Sequence, residues 1–124
     1  LPIVVSFSYD RGTRTMMGVK PAQMAETFSN MNVAALGINC GKSLENNLEA
    51  LQQLRAATSL PIWFKPNAGL PKLDGSGTPV YDVNPVEMGA QVKQWVAAGA
   101  SIVGGCCGTS PEHLHQIALA AHGK

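Results

Sequence analysis

Four short runs along the chain are almost continuously apolar and rich in β-branched residues: IVVSFS (Ile3–Ser8), VAALGIN (Val33–Asn39), PIWFK (Pro61–Lys65) and SIVGG (Ser101–Gly105). None alternates apolar with polar, so the pattern predicts strands covered on both faces, as in a parallel sheet. Behind each run the apolar spacing changes to about 3.6, the mark of an amphipathic helix. After the first run, Met24, Phe28 and Met31 fall at i, i+4 and i+7, and Pro21 suits a first helical position. After the second, Ser43 can cap a helix with a buried stripe of Leu44, Leu48, Leu51 and Leu54. After the third, NPVE (Asn84–Glu87) gives a cap, a proline and a returning glutamate, with Met88, Val92, Trp95 and Val96 on one face and Gly99 at the end. After the fourth, TSPE (Thr109–Glu112) repeats the start signal, and Leu114, Ile117, Ala118 and Ala121 form the stripe.

The predicted order is βαβαβαβα with short αβ joints. That is an α/β fold of four consecutive βα units, half of the eight that close a (β/α)8 TIM barrel. Residues 1–124 read as one unit with no internal boundary. The one long connection, Pro66–Val83, is rich in glycine and proline and follows a strand, where long loops are commonly functional. A flavodoxin-like open sheet is the competing arrangement, but its phosphate-binding glycine pattern is missing near the first turn.

Composition narrows the partners. Of the 124 residues, 45% are hydrophobic and only 14% charged, so part of the surface is expected to be covered by something else. A net charge of +1 with scattered lysines and arginines offers no stripe for a phosphate backbone, which argues against nucleic acid. The longest apolar stretches fall far short of the ~20 residues of a membrane span, and no signal-peptide pattern opens the chain, so the expected compartment is the cytoplasm.

The chemistry concentrates in the cysteines. All three follow predicted strands: Cys40 after VAALGIN, Cys106 and Cys107 after SIVGG. Parallel strands end on one side, so the sulfurs are expected on one rim, the face where such folds hold active sites. Strands two apart lie roughly 10 Å from each other, a gap that curvature and inward-leaning side chains can narrow. Three thiolates at ~2.3 Å from one zinc ion would leave a fourth position open, as in catalytic zinc sites. A vicinal pair in a glycine-flanked turn can present both sulfurs to one metal; Gly104, Gly105 and Gly108 are expected to supply unusual backbone angles. Physics alone leaves other accounts open. A cysteine is often only a small buried hydrophobe. GGCCGTSPEH also reads as a glycine turn feeding a helix amino terminus, a phosphate site. A thiol redox role for the vicinal pair is a further account.

Three elements in this order, GINC (Gly37–Cys40), PNAGLP (Pro66–Pro71) and GGCCGTSPEH (Gly104–His113), closely resemble the homocysteine S-methyltransferase family. The nearest branch is the homocysteine-binding domain of the cobalamin-dependent methionine synthases, and RGTRTMMG (Arg11–Gly18) is a weaker match. The resemblance implies a (β/α)8 barrel in which residues matching Cys40, Cys106 and Cys107 hold catalytic zinc, with the sulfur of homocysteine in the open position. It implies methyl transfer to that sulfur, forming methionine, from methylcobalamin on a separate cobalamin-binding domain; other branches use betaine or S-methylmethionine. It places the four units at strands five to eight of the family barrel, so the chain is expected to pair with the N-terminal half or to self-associate. A non-catalytic phosphate-binding or assembly half-barrel is the alternative outside enzymology.

Asn67 in PNAG sits on the expected rim and is a candidate substrate contact, or simply holds a turn. Asn39 is a candidate hydrogen-bond donor to a ligating sulfur, or only ends its strand. His113, His115 and His122 have no ligand partner at helical spacing and read as structural or solvent-facing. Asp10 and Arg11 read as a solvated turn on the rim, and Trp63, Trp95, Met24 and Met31 as packing.

Overall fold

The computed structural model describes residues 1–123; Lys124, the last residue of the expected domain, lies outside the described residues. The elements run β1 (Val4–Ser8), α1 (Pro21–Phe28), β2 (Ala35–Cys40), α2 (Leu44–Ala57), β3 (Ile62–Pro66), β4 (Pro71–Leu73), β5 (Pro79–Tyr81), α3 (Pro85–Ala97), β6 (Ile102–Val103) and α4 (Pro111–His122). The parallel sheet has the order β1-β2-β3-β6, with Val4 opposite Ala35, Leu36 opposite Ile62 and Trp63 opposite Ile102. Within this sheet each strand reaches its neighbour through a connection that contains a helix, the arrangement of a partial (β/α)8 barrel.

Alternation along the strands separates two faces. Leu36, Ile38, Ile62 and Phe64 are fully buried toward the helices, where they meet Leu51, Leu54, Met88, Val92 and Trp95. The Phe64 and Trp95 rings meet edge-on at 5.1 Å. The opposite face carries Ser6, Gly37, Asn39, Trp63 and Lys65. It is tight: a side chain at Gly37 would come within 2.8 Å of Ser6 Oγ. Lys65 Nζ lies 5.0 Å from the centre of the Trp63 ring.

Local chemistry sets the helix starts. Ser43 Oγ accepts from the Asn46 amide, and Asn84 and Glu87 form a reciprocal capping box behind Pro85. At α4 the box is completed by His113 and not Glu112: Ser110 N donates to His113 Nδ1, and Ser110 Oγ accepts from His113 N. With Nδ1 accepting, Nε2 carries the proton and donates to Val83 O at 2.7 Å. Gly99, at φ +112°, follows α3 as expected.

Several expectations need correction. α1 stops at Phe28, and Met31 lies in the following turn, 59% exposed. Val96, Leu114, Ala118 and Ala121 are exposed: α4 buries Ile117 and His113, the latter bonded to Val83 just before α3, and its remaining apolar stripe faces outward. The connection 66–83 is not structureless. It folds back as the antiparallel β4–β5 hairpin, turned by an Asp74 carboxylate that accepts from the Ser76 and Thr78 amides. No helix is long and apolar enough to cross a membrane among the described residues.

Candidate metal centre

Cys40 is the last residue of β2, which runs one position further than the sequence pattern suggests, and it has φ +58°. This left-handed turn swings its side chain out of strand alternation and toward the end of β6. Cys106 and Cys107 follow β6 in a turn closed by Thr109, whose N–H and hydroxyl both reach Cys106 O, the latter at 2.6 Å. Of the three glycines expected to have unusual angles, only Gly108 has positive φ, at +79°. Gly105 is required for another reason, since a side chain there would meet Thr109 within 2.8 Å. Gly108 lies against the Tyr81 ring, leaving no room for a side chain.

Between the two cysteine turns runs the segment Pro66–Ala68. Asn67 N donates to Cys40 O at 3.0 Å, Cys106 N to Pro66 O at 3.0 Å, and Ala68 N to Cys107 O at 3.0 Å. The Asn67 side chain spans both turns: Nδ2 donates to Gly41 O at 3.1 Å and Oδ1 accepts from Cys107 N at 2.9 Å. It thus fixes the spacing of two loops whose cysteines are 66 positions apart.

The three sulfurs lie within 4.8 Å of one another, with Cys40 and Cys106 3.1 Å apart. Zinc–thiolate bonds of 2.3 Å at a tetrahedral angle put sulfurs about 3.8 Å apart, so small rotamer changes would accommodate an ion. The donor set is soft, which suits zinc over magnesium or calcium. Among the described residues no other group of three such side chains forms a cluster. His113 is buried in its capping box, and His115 and His122 are exposed.

Burial and the hydrogen bond with Cys106 raise the Cys40 thiol to about 11. Burial also acts to raise Cys106, but hydrogen bonds from the Cys40 thiol and from the Cys107 backbone and side chain outweigh it and leave Cys106 lowered. The two sulfurs of the close pair are therefore shifted in opposite directions, Cys40 up and Cys106 down. Asn39 Nδ2 donates to Cys40 Sγ at 3.3 Å, and Ser6 Oγ donates to Asn39 Oδ1 at 2.6 Å, so the amide is oriented from the neighbouring strand. Asp10 is exposed on the rim and accepts from Ser8 Oγ.

A cavity of about 520 Å³ opens between α2 and α3, bordered by Lys42, Leu48, Leu70 and Asp82, but none of the cysteines lines it. The reactive groups sit on the open rim instead. One residue absent from the sequence reading touches the site: Asn47 Nδ2 donates to Cys40 O at 2.6 Å. Its signal in the sequence is a polar residue three positions after Leu44 and four before Leu51, on the apolar stripe of α2.

Comparison with known proteins agrees with this geometry. Methionine synthases from Mycobacterium leprae and Mycobacterium tuberculosis are 30% and 29% identical to the chain over 121 residues, 97% of its length. The chain spans about a tenth of each of those proteins. The homocysteine methyltransferase MmuM from Escherichia coli, in its metallated form, superposes with a TM-score of 0.71 at 30% identity, covering 94% of this chain and 34% of that one. Its apo form gives 0.72 at 29% identity, covering 96% and 39%. The family description Homocysteine S-methyltransferase matches residues 1–121, and the chain belongs to that family.

Proposed function

We propose that this chain forms the fifth to eighth βα units, the C-terminal half, of a zinc-dependent homocysteine S-methyltransferase barrel of methionine synthase type. The observation that carries this reading is the meeting of three sulfurs from two distant turns within 4.8 Å on the rim of a parallel sheet. Cys40, Cys106 and Cys107 would hold the metal. Zinc, when bound, supplies Lewis acidity that keeps a fourth thiol deprotonated near neutral pH.

The chain's own residues set the stage for transfer. The open rim admits homocysteine beside exposed Cys107, with Asn67 bordering the substrate and Asn39 steering the lone pairs of Cys40. In the transfer, the homocysteine thiolate attacks the methyl carbon: a sulfur–carbon bond forms, the carbon–donor bond breaks, and the donor leaves with the bonding pair. The donor proposed is methylcobalamin on a separate cobalamin-binding domain, with betaine or S-methylmethionine as the alternatives. The rest of the barrel would complete the binding of the amino acid end of the substrate. A cytoplasmic setting, where thiols stay reduced, fits this chemistry.

The phosphate-site alternative finds less support, because two amides at the start of α4, those of Ser110 and His113, already have partners in the capping box. Metal analysis under reducing conditions tests the choice. One zinc per chain, lost in Cys106→Ser, is the expected result. Zinc-free protein stabilised by phosphate would overturn it. Methyl transfer assayed with the complementary half-barrel and each donor in turn identifies the donor.

A further inference from the structure

Cys40 is one of two non-glycine residues with positive φ among the described residues. L side chains avoid that conformation, so surrounding contacts must hold it. Its carbonyl oxygen accepts two hydrogen bonds. One comes from the Asn67 backbone at 3.0 Å, the other from Asn47 Nδ2 at 2.6 Å.

Asn47 lies on the core side of α2 with Ala50, Leu51 and Leu54, and is 1% exposed. Its Oδ1 has no hydrogen-bond partner among the described residues. Turning the amide over would set oxygen against the Cys40 carbonyl, so the orientation follows from that contact. Gly41, at φ +86°, packs its α-carbon on the same amide, and any side chain there would overlap it. A buried polar side chain with an unmet acceptor is less stable than an apolar residue of the same shape. Neither helix propensity nor core packing calls for asparagine here. The feature it does serve is the Cys40–Gly41 turn.

We propose that Asn47 is a positioning residue of the metal centre: by holding the Cys40 carbonyl it fixes the left-handed turn that aims Cys40 Sγ at Cys106 and Cys107. This role rests on the reading of the three cysteines as metal ligands. It extends the centre into helix α2, which supplies none of the sulfurs.

Cobalt(II) reports the role directly, because the thiolate-to-cobalt charge-transfer absorption scales with the number of bound sulfurs. The chain is loaded with cobalt under reducing conditions, and affinity is read by chelator competition. Wild-type protein is expected to bind one cobalt with the absorption of three thiolates; failure here overturns both the metal reading and the role of Asn47. Asn47→Leu, which removes the donor at similar volume, is expected to lose about a third of the absorption and to bind cobalt at least about tenfold more weakly. Asn47→Ala removes the amide without adding bulk and gives a second reading should the leucine variant fail to fold. Leu54→Ala, on the same helix face but away from the turn, controls for general loosening and is expected to keep the three-thiolate spectrum. A wild-type-like spectrum and affinity in both Asn47 variants would overturn this role alone. So would an equal loss of absorption in Leu54→Ala.

Discussion

Cys40 and Cys106 lie 3.1 Å apart, and burial together with the neighbouring sulfur raises the Cys40 thiol, so it holds its proton. A metal that takes all three sulfurs must displace that proton. Because the Cys40 thiol is raised to about 11, it remains protonated near neutrality in the metal-free chain. Metal affinity should therefore rise with pH from neutrality up toward about 11, as proton release is linked to binding. Chelator competition at several pH values checks this, and a flat profile would show that Cys40 is not a ligand. The cysteines were legible in the sequence because a residue after a parallel strand has only one rim on which to emerge. Asn47 was not, because which backbone carbonyl meets a buried amide depends on how α2 lies against the end of β2. The glycine angles are not legible for a similar reason: Gly105 is demanded by a neighbour's side chain and not by its own torsion.

At the scale of elements, caps and packing make separable contributions. Ser43→Ala removes the acceptor for the Asn46 amide and should cost about 1 kcal/mol, measured by urea unfolding. Phe64→Ala, which empties the contact with Trp95, should cost about 3–5 kcal/mol. Helix starts were readable because caps are local: Ser43, Asn84 and Ser110 each sit directly before their helices. The hairpin was not readable. Its strands are three residues each, too short for any period to show, and it is held by the Val83–Ala68 backbone bond and by Tyr81 lying on Gly108. The stripe on α4 is apolar in sequence yet, Ile117 apart, lies exposed, since periodicity shows which face seeks cover and not whether cover is at hand.

At the scale of the molecule, β1 and β6 are the two edges of the sheet, and apolar side chains cluster at both: Ile3 and Val4 at one, Ile102 and Leu114 at the other. Unpaired edges with exposed apolar groups favour association. The chain alone should bind a hydrophobic dye and scatter light as an oligomer, and both signals should fall when the complementary half-barrel is added. A dye-silent monomer would contradict this. The sulfurs carry one more consequence. An ion gripping Cys40 and Cys106 would act as a reversible staple closing a loop of 66 positions, a restriction worth ~4 kcal/mol if it behaved like a covalent crosslink. Stripping the ion would then slacken the tie between the β1–α2 portion and the α3–α4 portion, so thermal melting with and without chelator would register the chemistry of the rim as the cohesion of the whole.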